Sequence, residues 1–265
     1  MRKKLMLALV VAAVASLGVA AIASAVKTTI RGGNLIATFG GNTSPKKLPK
    51  KGYAPVTTHI FGSIKTSDST HPSALREAQV NIDKDVKVNS KHFPSVCKAG
   101  QLEARDTKAA KRVCGKAIIG EGHADAEIAF PEQRPIKVPS PLLVFNGGEH
   151  GGKTTLLIHT FITVPAPTAI VTTVTIKRAG TGIKSVAKIP VVAGGSGSVL
   201  DFDFKLGKTY TYKHKKVGYF EASCPDGVFK VNVPKVVFKN EAREAGAAPQ
   251  TVLKGGLAVP CTPKG

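Results

Sequence analysis

Residues Gly147-Gly148-Glu149-His150-Gly151-Gly152-Lys153-Thr154 match the phosphate-loop pattern G-x-x-x-x-G-K-[ST]. In such a loop, backbone N–H groups cradle the phosphates, the Lys reaches them, and the following helix points its positive end at them. Here Gly147, Gly152, Lys153 and Thr154 hold the defining positions, and residues 142–145 read as the preceding strand. The helix is what is missing. Residues 154–164 are dense in β-branched side chains and end at Pro165, a composition that favours a strand. The octapeptide is therefore read as a loop joining two antiparallel strands. The match is judged false, and no cofactor is expected.

A second candidate is the alternation of Glu121, His123, Asp125 and Glu127 with Gly122, Ala124, Ala126 and Ile128. In a strand the four polar groups share one face, spaced by about 6.6 Å per two residues. His123 and Asp125 would be the pair to meet on a cation. No second ligand cluster completes a shell, so the expectation is a solvated face over an inner face of small residues, with no metal site. The seven histidines (His59, His71, His92, His123, His150, His159 and His214) are scattered, and no G-x-S-x-G elbow nominates a nucleophile. Gly195-Ser196-Gly197 reads as a flexible turn. No catalytic residue is named.

The beginning of the chain reads as an address. Arg2, Lys3 and Lys4 precede an uncharged run from residue 5 to residue 25, which ends Ala23-Ser24-Ala25. That is the form of a signal peptide, with cleavage expected after Ala25. An uncleaved anchor is the rival, because about 20 apolar residues span a bilayer. No later segment reaches that length, so no transmembrane segment is expected after removal of the signal. Export makes disulfides possible for the even set Cys97, Cys114, Cys224 and Cys261. Of the three pairings, Cys97–Cys114 and Cys224–Cys261 are favoured, because each closes a local loop. Neither CxxC nor HxxxH spacing supports zinc.

Charge supplies the remaining functional clue. Lys and Arg number 38 against 17 Asp and Glu, for a net charge of +21, which falls to +18 without Arg2, Lys3 and Lys4. An apolar fraction of 42% excludes a disordered polycation. Aromatic residues make up only 6% and Trp is absent, so a base-stacking surface is scarce and no specific nucleic acid is expected. The densest basic clusters are Lys46, Lys47, Lys50 and Lys51, and Lys213, Lys215 and Lys216 beside His214. They would attract anionic wall polymers or other extracellular polyanions in a salt-sensitive way.

These groups must be positioned by a mostly β chain. Residues 26–52 read as an exposed basic segment, with one short apolar piece at 34–39, leading into a main domain at 53–265. Candidate strands there are 56–64, 80–88, 117–130, 142–145, 155–164, 169–177, 186–192, 199–206, 210–212, 219–222 and 228–239. Residues 155–164 carry apolar side chains on both faces, the mark of a strand covered on both sides. Residues 101–113 are rich in Ala, Lys, Arg and Glu and predict a helix bracketed by Cys97 and Cys114, with Leu102, Ala109 and Val113 facing inward. The fold class expected is all-β, a β-sandwich or jelly-roll-like domain with that one short helix. Two smaller immunoglobulin-like modules divided near 147–152 are the alternative.

Cys97, the helix, Cys114-Gly115, Ile119-Gly120-Glu121-Gly122, residues 142–147, Ser223-Cys224-Pro225 and Cys261 together resemble a family of secreted β-rich proteins from high-GC Gram-positive bacteria, for which no activity is assigned. The resemblance implies a secreted, disulfide-bonded, β-rich fold and brings no catalytic residues. The functional expectation is an exported, non-catalytic protein, envelope-associated or extracellular, that binds through its surface. An extracellular hydrolase with an unidentified site is the alternative.

Overall fold

Short β-branched runs between Gly, Pro and Asn turns fold as strands along nearly the whole chain. The structure is a computed structural model that describes residues 25–180, 182–241, 243 and 247–265. The expected signal segment, up to residue 24, lies outside the described residues. In chain order the strands are β1 (Val26–Gly32), β2 (Leu35–Ser44), β3 (Lys47–Pro49), β4 (Ala54–Pro55), β5 (Thr57–Thr66), β6 (Ala74–Ile82), β7 (Val86–Val88), β8 (Ile118–Phe130), β9 (Gln133–His150), β10 (Lys153–Ile162), β11 (Thr168–Ala179), β12 (Gly182–Lys188), β13 (Gly197–Leu206), β14 (Thr209–Tyr212), β15 (Lys215–Gly218), β16 (Phe220–Ala222), β17 (Val228–Lys239), β18 (Gln250–Pro260) and β19 (Thr262–Lys264).

Twelve of these form a single sheet in the order β1-β2-β5-β13-β8-β9-β10-β11-β12-β6-β17-β18. The sheet wraps until its two ends meet. A Cβ added to Gly32 would lie 2.4 Å from Leu253 Cδ2, and one on Gly255 would lie 2.7 Å from Ile30 Cγ2, so only glycine lets β1 and β18 approach this closely. Leu35, Ala37 and Ile64 from one end of the sheet share a core with Val233, Val236, Phe238 and Leu253 from the other. The result is an all-β, barrel-like sandwich, in keeping with the expected fold class. The short sheet β4-β16-β7 packs across one end. There the Tyr219 hydroxyl donates to Asn146 Oδ1 at 2.8 Å, and Asn146 Nδ2 donates to the Ser95 carbonyl at 2.7 Å. Both disulfides pair as expected, Cys97–Cys114 and Cys224–Cys261.

Outside the sheet, one layer of short helices covers β9 and β10. Helix α1 (Thr107–Cys114) lies between 3-10 turns at Ala99–Gln101 and Gly115–Ala117. It is shorter than the expected 101–113. Ala104 takes a positive φ of 56°, which breaks the run, and Asp106 caps the new start by accepting from Ala109 N at 2.6 Å. The new start also sets the buried face. Leu102 is buried as expected, but Ala110 and Cys114 point inward, while Ala109 is half-buried and Val113 is 41% exposed.

Two expectations about organisation need correction. Residues 26–52 are not an exposed lead-in: β1 and β2 belong to the main sheet, Leu35 is 1% exposed, and Leu48 on β3 is fully buried beside β19. Alternating apolar residues in 35–39 gave the buried face, but the charged, Pro-rich flank masked it. Nor do residues 147–152 divide two modules. They end β9 and turn into β10 in the middle of the continuous sheet.

Candidate functional site

The phosphate-loop match folds as a hairpin. Gly147 and Gly148 lie within β9, and His150 pairs with Lys153 across Gly151 and Gly152. Those two glycines have φ of 56° and 69°, the left-handed pair that a two-residue hairpin loop requires. Thr154 is buried, with its hydroxyl 2.5 Å from Ser90 Oγ, and Lys153 points to solvent. The chain continues as a strand, as its β-branched residues demand.

Glu121, His123, Asp125 and Glu127 do share one face of β8, the outer one. Register sets His123 beside Asp203 and Asp125 beside Asp201 on β13. Asp203 is held 2.9 Å from His59 Nε2. Burial, and next the Asp125 carboxylate, push the Asp201 carboxyl above its ordinary value. Among the described residues, no cluster of three His, Cys, Asp or Glu forms that could hold a metal ion.

The fourth member, Glu127, takes part in a constellation the sequence did not disclose. Glu127 Oε1 lies 2.9 Å from His71 Nδ1, and His71 Nε2 lies 3.1 Å from Ser198 Oγ. Acid, imidazole and hydroxyl stand in the order of a hydrolase triad. The surroundings differ from those of an active nucleophile. Ser198 is 2% exposed, and its hydroxyl donates to the Pro72 carbonyl. With its hydrogen on that carbonyl, the hydroxyl does not donate to His71 Nε2 as a nucleophile donates to its general base. The three residues pin the 67–73 connection, which carries the chain from β5 to β6, against the outer face of β8 and β13. Positions 71, 127 and 198 are too distant in sequence for any motif to have linked them.

The inner face of the sheet holds the larger feature. A cavity of about 470 Å³ lies between the two halves of the sheet. Ile60, Ile82, Val144, Leu156, Ile158 and Val174 contribute apolar wall, and Ala78, Ala124, Ala126 and Ala187 leave the space open. The small residues on the inner face of β8 were visible in sequence, but their consequence, a cavity on the inner side of the sheet, was not. Lining residues run from Leu156 to Ile162 along β10, a length of about 20 Å at 3.3 Å per residue. The space extends along the strands.

At the end of the cavity where β6 begins stands Arg76. The β6–β17 register passes over it, pairing Val237 with Glu77 and then Phe238 with Leu75, and such bulges re-aim a side chain. Arg76 lines the cavity, and its side chain is 9% exposed. Its guanidinium donates to the Pro190 carbonyl and to the Glu241 carboxylate. A further donor, Nε, is buried without a partner among the described residues.

The basic clusters sit apart from this interior and on separate small sheets. Lys47, Lys50 and Lys51 are exposed and Lys46 half-buried around β3, which pairs with β19. Lys213, Lys215 and Lys216 are exposed on the β14–β15 hairpin, whose turn residues Lys213 and His214 both have positive φ. No helix among the described residues is long and apolar enough to cross a membrane. Comparison with family models, with curated proteins and with solved structures finds no match for this chain.

Proposed function

We propose that this is an exported, non-catalytic binding protein that carries an apolar molecule inside its sheet, while its lysine clusters hold it weakly to anionic polymers of the cell envelope. The observation that carries this reading is the 470 Å³ apolar cavity. It falls within the range of ligand pockets, about 300–1,000 Å³, and β-barrels house small ligands in their interiors. Apolar side chains inside and charged ones outside are the reverse of a membrane-spanning barrel with a polar lumen. Both disulfides suit an oxidising compartment.

Thermal unfolding with and without 1-dodecanol tests the cavity. A ligand at about 100 times its Kd adds about 2.7 kcal/mol, which raises Tm by several degrees; an unchanged Tm at saturating alcohol contradicts the reading. Sedimentation with purified cell walls tests the surface, with binding expected at low salt and release at high salt. The second reading, an extracellular serine hydrolase, rests on the Ser198–His71–Glu127 geometry. Labelling of Ser198 by a fluorophosphonate would favour it, and no labelling is expected of so buried a hydroxyl.

A further inference from the structure

We infer that Arg76 receives the head group of the bound molecule and that the ligand is a long-chain carboxylate. This rests on the cavity reading above and adds a polar end to it. A charge in an apolar wall is costly unless it is fully bonded, and Arg76 is not, since among the described residues Nε has no partner although the side chain is 9% exposed. A guanidinium is a planar fork that matches a carboxylate through two parallel donors. In this structure Glu241 takes one of those donors. Its side chain is 26% exposed, so it can leave toward solvent. Glu241 therefore acts as an internal stand-in, holding the guanidinium until a ligand carboxylate replaces it and also engages Nε. The chain of that ligand then follows the strands away from Arg76, past Ala78 and Val80 on β6 and Thr160 and Ile158 on β10, all of which line the cavity.

Calorimetric titration with dodecanoate and with 1-dodecanol, equal in chain length, tests the inference. Dodecanoate is expected to bind at least about tenfold more tightly, the worth of one charge-assisted hydrogen bond. Arg76→Met should remove that advantage and leave the alcohol unaffected. Glu241→Gln, which takes away the competing carboxylate, should tighten dodecanoate alone, and it keeps the inference open to refutation even if Arg76→Met fails to fold. Equal affinity for acid and alcohol, or a Glu241→Gln variant with unchanged preference, overturns the assignment of Arg76 while the cavity reading stands. If neither compound binds the wild-type protein, the cavity reading itself has failed and this inference falls with it.

Discussion

Leu156 and Leu157 are neighbours on β10, equally buried at 3% exposure, and they face two different interiors. Leu157 points outward, into a filled cluster with Leu102, Ala110, Leu143, Phe145 and the Cys97–Cys114 bridge. Leu156 points inward, into a cluster with Leu142, Val144, Val174 and Ile176 that also borders the cavity. One strand thus supports a compact core on one face and a core built around a cavity on the other. Filled space serves stability by itself; hollow space lined with alanines forgoes contacts that larger side chains would have made. Low exposure does not distinguish the two. What lies beyond the side chain does.

Truncation gives the largest expected contrast. Leu157→Ala should cost near the upper end of the roughly 2–5 kcal/mol seen for buried leucines, and Leu156→Ala near the lower end, because one side of Leu156 already borders open space. Chemical denaturation of both variants reads the difference, and equal losses would erase the distinction between the two interiors. Next in size is the staple of the outer layer. Replacing Cys97 and Cys114 with Ser should remove about 3 kcal/mol, the value for a loop of about 15 residues, without loosening an apolar ligand.

Enlargement should then act in opposite directions. Ala110→Leu overpacks the outer cluster and should cost about 1–3 kcal/mol. Ala124→Leu, facing the cavity, should be neutral or stabilising and should weaken ligand binding. Thermal melts of the pair, with and without dodecanol, decide it.

The smallest effect is a pH dependence confined to the outer layer. His159 is buried beneath the helical layer and donates from Nε2 to the Arg105 carbonyl at 2.9 Å. Burial pushes its pKa below the ordinary value of 6.5. The unfolded chain therefore binds the proton more readily than the folded one, and stability falls as pH drops below about 6.5. His159→Gln can offer the same donor and does not titrate. Melts between pH 7 and pH 5 should show a shallower decline for that variant, and an unchanged slope would place the acid sensitivity elsewhere.

Much of the scaffold was legible in the sequence. Residues 228–239 form β17 with the expected limits, both cysteine pairs follow from local loop closure, and the two-faced apolar pattern of 155–164 marks a strand covered on both sides. Other strands were hidden for physical reasons. In β18, Gly255 and Gly256 interrupt the apolar pattern because β1 passes too close for a side chain at Gly255. The first half of β9 carries Pro135, Pro139 and Pro141. Its paired neighbour there is β8, since the register with β10 runs only over 142–150, and a strand with an open edge tolerates proline. The site was least legible of all. Ala78, Ala124 and Ala187 share a space only once three strands surround it, and no motif marks Arg76, which lines that space beside a bulge.

The central claim is that the interior is a binding site rather than a packing defect. Fluorescence titration with the neutral probe N-phenyl-1-naphthylamine, in the wild-type protein and in the Ala124→Leu/Ala187→Leu double variant, tests this most directly. One saturable site in the wild type, absent from a double variant that still unfolds cooperatively, is the expected result. No binding to the wild type, or undiminished binding once the alanines are filled in, would contradict it.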